Sequence, residues 1–278
     1  MTTATVNYLA PGSRRNRLYV APGDHHTTTR YDRRTVTVTD ARPFREEFTL
    51  DRSGFRLLDH RSAVTDFASE SQLESAYARE VSDLVKQVTG ADEVISLGWL
   101  RRAAKDTAGR GGAALPPAPD VHVDLYDGRW ALRYASAHAR GPLPEPGTYR
   151  RALWTSLWRT FSPPPQDWPL ALCDYPSLSG EEGRPNLLFR VPAVPSPAEE
   201  AEFADDAAES AAAVFEYRPE HRWWYFPDTH PGEAILIKLH DTDHGVAWRA
   251  PHTSFRDPGV TTSRPRESVE FRTVAFFR

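Results

Sequence analysis

The chain has 278 residues, of which 34 are basic and 38 acidic, and its formal net charge at pH 7 is −4. This balance excludes the polycationic surface typical of nucleic-acid-binding proteins, and no apolar run approaches the ~20 residues that cross a bilayer. We therefore expect neither a nucleic-acid partner nor a membrane partner.

The single cysteine, Cys173, excludes an internal disulfide and favours a reducing compartment. The first residues lack the basic and apolar regions of a signal peptide, so we expect a cytoplasmic protein.

The N-terminal part of the chain predicts short strands. Residues 35–39 are rich in β-branched side chains, and residues 48–50 form a second short run of strand-forming residues. Gly54 is typical of a turn that leads into a further strand. With 24 prolines, the chain favours strands and loops over a helical bundle.

The clearest helix is predicted over residues 71–88. Ser71 and Glu74 fit a capping box at its start, and Gly90 is a typical C-terminal stop. Its apolar residues recur at helical spacing along one face: Leu73, Tyr77, Val81, Leu84, Val85 and Val88. We interpret this face as core packing rather than as a ligand site.

The middle of the chain begins with a Gly- and Pro-rich stretch over residues 106–120, which predicts a flexible linker. Such a segment acts either as a lid over a site or as a plain loop. Residues 121–134 predict a strand hairpin that turns at Asp127 and Gly128, since Trp130, Leu132 and Tyr134 recur at every second position after the turn. Residues 150–161 are aromatic and strongly apolar.

A second helix is predicted over residues 197–214, because Ser196 suits a helix cap, Pro197 the first helical position and Glu199 the third. The rest of the chain is dense in predicted strands, at 223–226, 234–239, 252–255 and 268–277.

These elements predict a mainly β fold with flanking helices, namely a double-stranded β-helix of the jelly-roll or cupin-like type. We expect a single domain over residues 1–278. In this prediction, residues 1–110 supply strands and a helix that pack on the barrel. Residues 120–278 form the jelly-roll core, with a helical insertion near 196–215.

The most informative motif is His122-Val123-Asp124, followed far downstream by His252. Residues i and i+2 of a strand share a face, so His122 and Asp124 can reach one ion. Two imidazoles and one carboxylate on one side of an ion, with the other side open, are typical of non-haem Fe(II) oxygenases. Each element alone is weak, because a chain with ten histidines contains such a triplet by chance.

The last predicted strand strengthens this interpretation. Arg266, Ser268, Glu270 and Arg272 share one of its faces. An arginine can bind a carboxylate through two parallel hydrogen bonds, and a serine hydroxyl adds a third. Arg266 and Ser268 are thus suited to hold a dicarboxylate co-substrate such as 2-oxoglutarate, although an ordinary strand with surface arginines would carry the same residues.

A rival metal cluster is present at His240, Asp241, Thr242, Asp243 and His244. It predicts either a zinc or calcium site, which would suit a metal-dependent hydrolase, or a polar turn before Gly245. The polar turn is the simpler interpretation. The patch at residues 24–26 is interpreted as a solvated loop.

The ordered motifs resemble one family of 2-oxoglutarate-dependent iron oxygenases, which includes the small chain of cephem 7-methoxylase, fungal gibberellin desaturase and the aspergillic-acid hydroxylase/desaturase. The resemblance runs from about Gly54 to the end of the chain. It rests on residues 121–124, 158–159, 169–174, 223–227, 233–238 with Asp241, 251–255 and 266–272. Ser156 stands where the family pattern leads us to expect Asn, which bears on the substrate.

The resemblance implies that His122, Asp124 and His252 bind Fe(II). It implies that Arg266 and Ser268 bind 2-oxoglutarate, with Arg272 as a second candidate for this role. Five further positions match the family without an assigned role and are expected near the substrate or behind the metal ligands: Trp158, Arg159, Tyr225, Lys238 and Asp241.

The implied activity is hydroxylation, desaturation or ring formation at an unactivated C–H bond, with O2 as oxidant, on a small natural-product or amino-acid-like substrate. A homodimer or a partner tailoring enzyme is also conceivable. The alternatives are a hydrolase built on residues 240–244 and a non-catalytic jelly-roll subunit that assists a partner enzyme.

Overall fold

The computed structural model describes residues 1–103, 114–180 and 182–278. Most of the predicted linker, residues 106–113, therefore lies outside the described residues. The described strands are β1 (Thr2–Leu9), β2 (Arg17–Ala21), β3 (Asp24–Thr27), β4 (Tyr31–Asp40), β5 (Phe55–Asp59), β6 (Glu93–Ala103), β7 (His122–Val123), β8 (Arg151–Thr160), β9 (Leu170–Cys173), β10 (Arg184–Arg190), β11 (Ser210–Val214), β12 (Trp223–Tyr225), β13 (Glu233–Asp241), β14 (His252–Ser254) and β15 (Glu267–Phe277).

The α-helices are few in the described parts of the chain. They are α1 (Leu50–Ser53), α2 (Glu70–Gln72), α3 (Ala78–Thr89) and α4 (Gly128–His138). A π-helical turn, Leu73–Tyr77, joins α2 to α3, so the three segments form one continuous helical stretch. None of the described helices is long and apolar enough to span a lipid bilayer.

Two sheets form a jelly roll, as predicted. The larger sheet has the strand order β1-β4-β12-β9-β14-β7-β11-β10-β2-β3, and the smaller has the order β5-β13-β8-β15-β6. Their facing surfaces share one apolar core, to which Val38 and Val123 contribute from the larger sheet and Trp154 and Val274 from the smaller. Strands β1 to β6 belong to these two sheets.

The helical stretch covers the outer face of the smaller sheet. Val81 and Val85 of α3 pack with Phe271 and Ala275 of β15, and all four are fully buried or nearly so. Full burial of an aliphatic or aromatic side chain stabilises a fold by about 1.5–3 kcal/mol. The predicted helix over 71–88 is therefore confirmed, together with its stop at Gly90, whose φ is 72°. Its cap is Ser69 rather than Ser71, since the Ser69 side chain accepts a hydrogen bond from the Gln72 backbone.

The predicted hairpin over residues 121–134 is wrong beyond Val123. Asp127 caps helix α4, because its carboxylate accepts a hydrogen bond of 3.0 Å from the Trp130 backbone nitrogen. Leu132 is 44% exposed, so the alternating apolar residues do not share one buried face. Trp130 and Ala131 instead face the core, at helical spacing with Ala135.

The predicted helix over residues 197–214 is also wrong. Only two short 3-10 turns form, Glu199–Glu202 and Asp205–Ala207. Ser196 does contact the Glu199 carboxylate as a cap would. The following residues form β11, however, because pairing with β7 and β10 outweighs the helix propensity of alanine.

A smaller error concerns residues 48–50, which we predicted as a strand. Thr49 accepts a hydrogen bond from the Arg52 backbone and caps the short helix α1. Gly54 ends this helix with a φ of 81° and leads into β5, as expected from its position. A side chain at Gly54 would approach the Arg249 carbonyl oxygen to 2.7 Å, so both the conformation and the space require glycine. The remaining C-terminal strands are confirmed.

Candidate metal centre

The three predicted metal ligands meet in the middle of the larger sheet. Strands β7 and β14 are neighbours, and His122 is paired directly with His252. Asp124 follows β7 on the same face as His122. The ligand atoms of the three side chains all lie within 4.8 Å of one another. No other group of three or more such residues converges in this way among the described residues.

Both imidazoles are oriented by backbone carbonyls. The Nδ1 atom of His122 lies 2.7 Å from the Asp120 oxygen, and that of His252 lies 3.0 Å from the Ala250 oxygen. A carbonyl can only accept, so each Nδ1 carries the proton. Each Nε2 therefore presents its lone pair, which is the arrangement of a metal-binding histidine.

The two oxygen atoms of the Asp124 carboxylate have different contacts. Its Oδ1 accepts a hydrogen bond of 2.7 Å from Arg272. Its Oδ2 is buried, has no hydrogen-bond partner, and lies 3.8 Å from Nε2 of His252. A buried anionic oxygen without a partner is costly, and a divalent cation at this position would satisfy it.

The electrostatics favour the protonation states that a divalent metal needs. Burial would raise the pKa of Asp124, but the Arg272 guanidinium and the two imidazoles together lower this pKa well below its usual range. Burial and the neighbouring His122 lower the pKa of His252 to about 4. At neutral pH the centre thus offers an ionised carboxylate and a neutral His252, so the residues fit a divalent iron ion.

Arg266 and Ser268 lie beside this centre with unused donors. Arg266 is 1% exposed, and its Nη1 donates to the Trp168 carbonyl at 2.7 Å and to Ser254 Oγ at 2.8 Å. Its Nε and Nη2 and the Ser268 hydroxyl are buried without a partner. Burial and the nearby Arg102 lower the pKa of Arg266 to about 9, so the side chain remains cationic at neutral pH. Two guanidinium N–H groups and a hydroxyl suit one carboxylate.

A narrow cavity connects the imidazoles of the metal centre with the Arg266 side chain. Its lining includes His122, His252 and Arg266, together with the apolar Leu170 and Ile237. Trp158 also lines it, and the Arg266 guanidinium lies 5.6 Å from the centre of its indole ring. Ser156, where the family pattern led us to expect Asn, is another wall residue.

Arg272 lies on the other side of Asp124 and is already engaged. Its Nη2 donates to Asp124 at 2.7 Å and to Glu270 at 2.9 Å, and its Nη1 donates to the Tyr134 hydroxyl at 3.0 Å. These contacts favour Arg266 over Arg272 as the residue that binds the co-substrate.

The structure does not bring Arg159 into the cavity. This side chain points to the outer face of the smaller sheet, where it donates to the carbonyls of His60 and Pro231 and contacts the Tyr77 hydroxyl. These bonds fix a loop and the helical stretch against β8. Tyr225 likewise lies in the core, edge-on to Phe255 with ring centroids 5.4 Å apart.

Lys238 and Asp241 form a separate buried ion cluster. The ammonium of Lys238 lies 2.7 Å from Asp241 and 2.9 Å from Asp51, and Arg151 also contacts Asp241 at 2.6 Å. With its carboxylate held by two cations, Asp241 is not free to bind a metal. In the rival cluster, His240 and Asp241 end β13, and residues 242–244 form the polar turn before Gly245. The hydrolase built on this cluster has no support.

Three residues at the site carry roles that the sequence interpretation did not give them. Ser254, which contacts Arg266, follows His252 by two residues, so strand alternation could have identified it. Glu270 was placed on the correct face without a role. Arg102 lines the cavity from β6, a strand that was not predicted.

Comparisons with known proteins agree with this geometry. The family model described as "Oxidoreductase/YMDC permease-like domain" matches residues 6–276, so the chain belongs to that family. The hydroxylase/desaturase CTB9 of Cercospora beticola is 30% identical over 270 residues, which cover 89% of this chain and 78% of that protein. The alpha-ketoglutarate-dependent dioxygenase tstK of Talaromyces stipitatus is 27% identical over 252 residues, which cover 87% of this chain and 84% of that protein.

A solved structure gives the same fold. The iron and alpha-ketoglutarate-dependent endoperoxidase NvfI superposes with a TM-score of 0.78 at 23% identity, over 99% of this chain and 97% of that one. The resemblance noted in the sequence is thus confirmed. The protein is a 2-oxoglutarate-dependent non-haem iron dioxygenase, with Fe(II), 2-oxoglutarate and O2 as its cofactors and co-substrates.

Proposed function

We propose that His122, Asp124 and His252 bind the Fe(II) of this dioxygenase and that Arg266 and Ser268 bind the distal carboxylate of 2-oxoglutarate. The observation that carries this proposal is a set of four buried polar atoms without partners on Asp124, Arg266 and Ser268. One is an acceptor, Asp124 Oδ2, which suits a cation. Three are donors on Arg266 and Ser268, which suit an anion. The imidazoles of His122 and His252 and the Arg266 side chain line one narrow cavity.

In this arrangement each residue has a defined task. Once bound, the iron and 2-oxoglutarate supply the oxidising power for cleavage of an unactivated C–H bond by O2, while 2-oxoglutarate is decarboxylated to succinate. The two imidazoles and Asp124 would hold the ion, and such a ligand set would leave coordination positions for the co-substrates. Trp158 and Ile237 exclude water from the cavity, which strengthens the contact between Arg266 and a carboxylate.

We also propose that the substrate is a small natural-product or amino-acid-like molecule that undergoes hydroxylation, desaturation or ring formation. CTB9 is named a hydroxylase/desaturase and NvfI an endoperoxidase, and these names support this range of reactions. A cytoplasmic location is supported by the single cysteine, Cys173, which is buried and whose pKa burial raises to about 12. Action as a homodimer or beside a partner tailoring enzyme is a further proposal, which light scattering of the full chain would test.

The direct test is anaerobic titration of the metal-free protein with Fe(II) and 2-oxoglutarate. We expect a weak visible charge-transfer band that requires both additions, since only a 2-oxoglutarate chelated to the iron gives it. Asp124→Ala and His252→Ala should abolish the band because each removes a metal ligand. Folding of the variants is checked by circular dichroism.

Asp243→Ala is the matched control. This aspartate belongs to the rival cluster, and its Oδ1 only caps a turn by accepting from the Gly245 nitrogen, so the band should persist. A folded wild-type protein that shows no band with both additions would overturn the proposal. A band that survives in Asp124→Ala would overturn the ligand assignment.

A further inference from the structure

Behind Asp124 lies a chain of alternating charges. Arg272 donates from one nitrogen, Nη2, to both Asp124 and Glu270, at 2.7 and 2.9 Å. The Nε atom of Arg102 lies 3.7 Å from the other oxygen of Glu270. The side chains of Asp124 and Glu270 are each 8% exposed, and that of Arg272 is 16% exposed. The contacts are therefore shielded from water and only weakly screened.

Arg272 is also held from outside the sheet. Its Nη1 donates to the hydroxyl of Tyr134 on α4 at 3.0 Å, and its guanidinium carbon lies 5.4 Å from the centre of the Tyr134 ring. Three side chains from three parts of the fold thus fix the orientation of one guanidinium. Such orientation is needed where a planar fork must present a hydrogen bond in one direction.

We propose that Arg272 is a positioning residue for the metal ligand Asp124, and that Glu270 and Tyr134 hold Arg272 in place for this task. By binding Oδ1, Arg272 turns Oδ2 of Asp124 towards the two imidazoles. This inference rests on the proposed function, because it assumes that Asp124 is a ligand. It differs from the family expectation, in which Arg272 was a second candidate for binding 2-oxoglutarate.

Charge alone does not explain the arrangement. Two buried carboxylates close together repel each other, and any cation between them would relieve this. A lysine would supply the cation, but as a point charge it cannot keep the planar contacts to Asp124, Glu270 and Tyr134 at once. The substitution Arg272→Lys therefore separates orientation from charge.

The experiment titrates the metal-free protein with Co(II), a spectroscopic substitute for Fe(II), in the absence of 2-oxoglutarate and O2. We expect Arg272→Lys to weaken Co(II) binding about 10- to 100-fold, the usual cost of losing a partner that orients a metal ligand. The Co(II) absorption spectrum should change shape, because the carboxylate is no longer held in one orientation. Binding of 2-oxoglutarate at saturating Co(II) should be unchanged.

Arg266→Lys is the matched control, since it makes the same substitution at the residue that immediately precedes β15. It should weaken 2-oxoglutarate binding and leave Co(II) affinity unchanged. Tyr134→Phe, which removes only the contact to Nη1, should shift Co(II) affinity in the same direction as Arg272→Lys by a smaller amount. This milder variant keeps the inference testable if Arg272→Lys does not fold.

The outcomes separate the two proposals. If wild-type protein binds no Co(II), or binds it equally well as Asp124→Ala, the proposed metal site fails and the inference fails with it. If wild-type binding depends on Asp124 but Arg272→Lys binds Co(II) with wild-type affinity and spectrum, only the inference is overturned. Loss of 2-oxoglutarate binding in Arg272→Lys, with Co(II) affinity intact, would instead assign Arg272 to the co-substrate.

Discussion

At the residue scale, the site depends on which hydrogen bonds are already made. Arg266 immediately precedes β15 and Arg272 lies six residues further on within it. Strand alternation places both on one face, so the sequence pattern cannot distinguish them. Their hydrogen-bond partners do distinguish them. Arg272 has its two terminal nitrogens engaged by Asp124, Glu270 and Tyr134, so only its Nε is without a partner. Arg266 keeps two donors, Nε and Nη2, without partners. This difference supports the proposal that Arg266 binds the carboxylate.

Ser268→Ala tests this assignment without disturbing a guanidinium. The Ser268 hydroxyl is buried and without a partner, so its removal should not lower the stability of the ligand-free protein. A hydrogen bond to a charged group contributes about 1.5–3 kcal/mol, so the KM for 2-oxoglutarate should rise on the order of 10- to 100-fold. Steady-state kinetics at saturating Fe(II) measure this, and an unchanged KM would exclude the hydroxyl from co-substrate binding.

At the element scale, the sequence predicts a strand or helix well where one of its faces is buried. It predicts poorly where a helix cap or a neighbouring strand determines whether a segment becomes a helix or a strand. The helix that ends at Gly90 and the long strand β15 carry regular apolar patterns, and both were predicted. The metal ligands were predicted from their residue types, and β7 and β14 bring them together.

The failures have specific physical causes. Asp127 was interpreted as a hairpin turn because aspartate suits both turns and helix caps. Residues 210–214 contain three alanines, and they form a strand because they pair with β7 and β10. Arg102 and its contact with Glu270 depend on the pairing of β6 with β15, which no local pattern specifies.

Helix α4 offers a test at this scale. Asp127 is its cap, and α4 carries Tyr134 to Arg272. Asp127→Ala should lower the free energy of unfolding by about 1 kcal/mol, the usual cost of a lost helix cap. Asp127→Asn, which keeps an accepting side-chain oxygen, should retain most of the stability. Urea denaturation compares the three proteins, and equal loss in both variants would show that the carboxylate charge, not the cap, matters.

At the scale of the whole molecule, the proposed active-site residues and a buried cluster of charged side chains lie on opposite faces of the smaller sheet. The inner face carries Arg266, Ser268 and Arg272 beside the metal centre. Away from it lies the cluster of Lys238, Asp241, Arg151 and Asp51, in which Lys238 and Asp241 are fully buried. A family position can therefore contribute to the fold without any contact with substrate or iron.

The buried cluster should make stability depend on pH. Burial would raise the pKa of Asp241, but hydrogen bonds from Arg151 and Lys238 lower it below its usual value. A carboxyl with a lowered folded-state pKa stabilises the fold above its unfolded-state pKa of about 4 and loses this contribution as the pH falls. We expect urea-unfolding free energies to fall between about pH 5 and pH 3, and Asp241→Asn to reduce this slope.

At neutral pH the same substitution should be costly, because Lys238 is left buried with only the exposed Asp51 as an anionic partner. Breaking a buried ion pair from one side costs about 3–5 kcal/mol. Replacing both partners, in the double variant Lys238→Met with Asp241→Leu, removes the unpaired charge and should recover much of the loss. If the double variant is as unstable as Asp241→Asn, then lost packing rather than the unpaired ammonium explains the effect. Co(II) binding should be unchanged in both variants, since the cluster does not contact the metal centre.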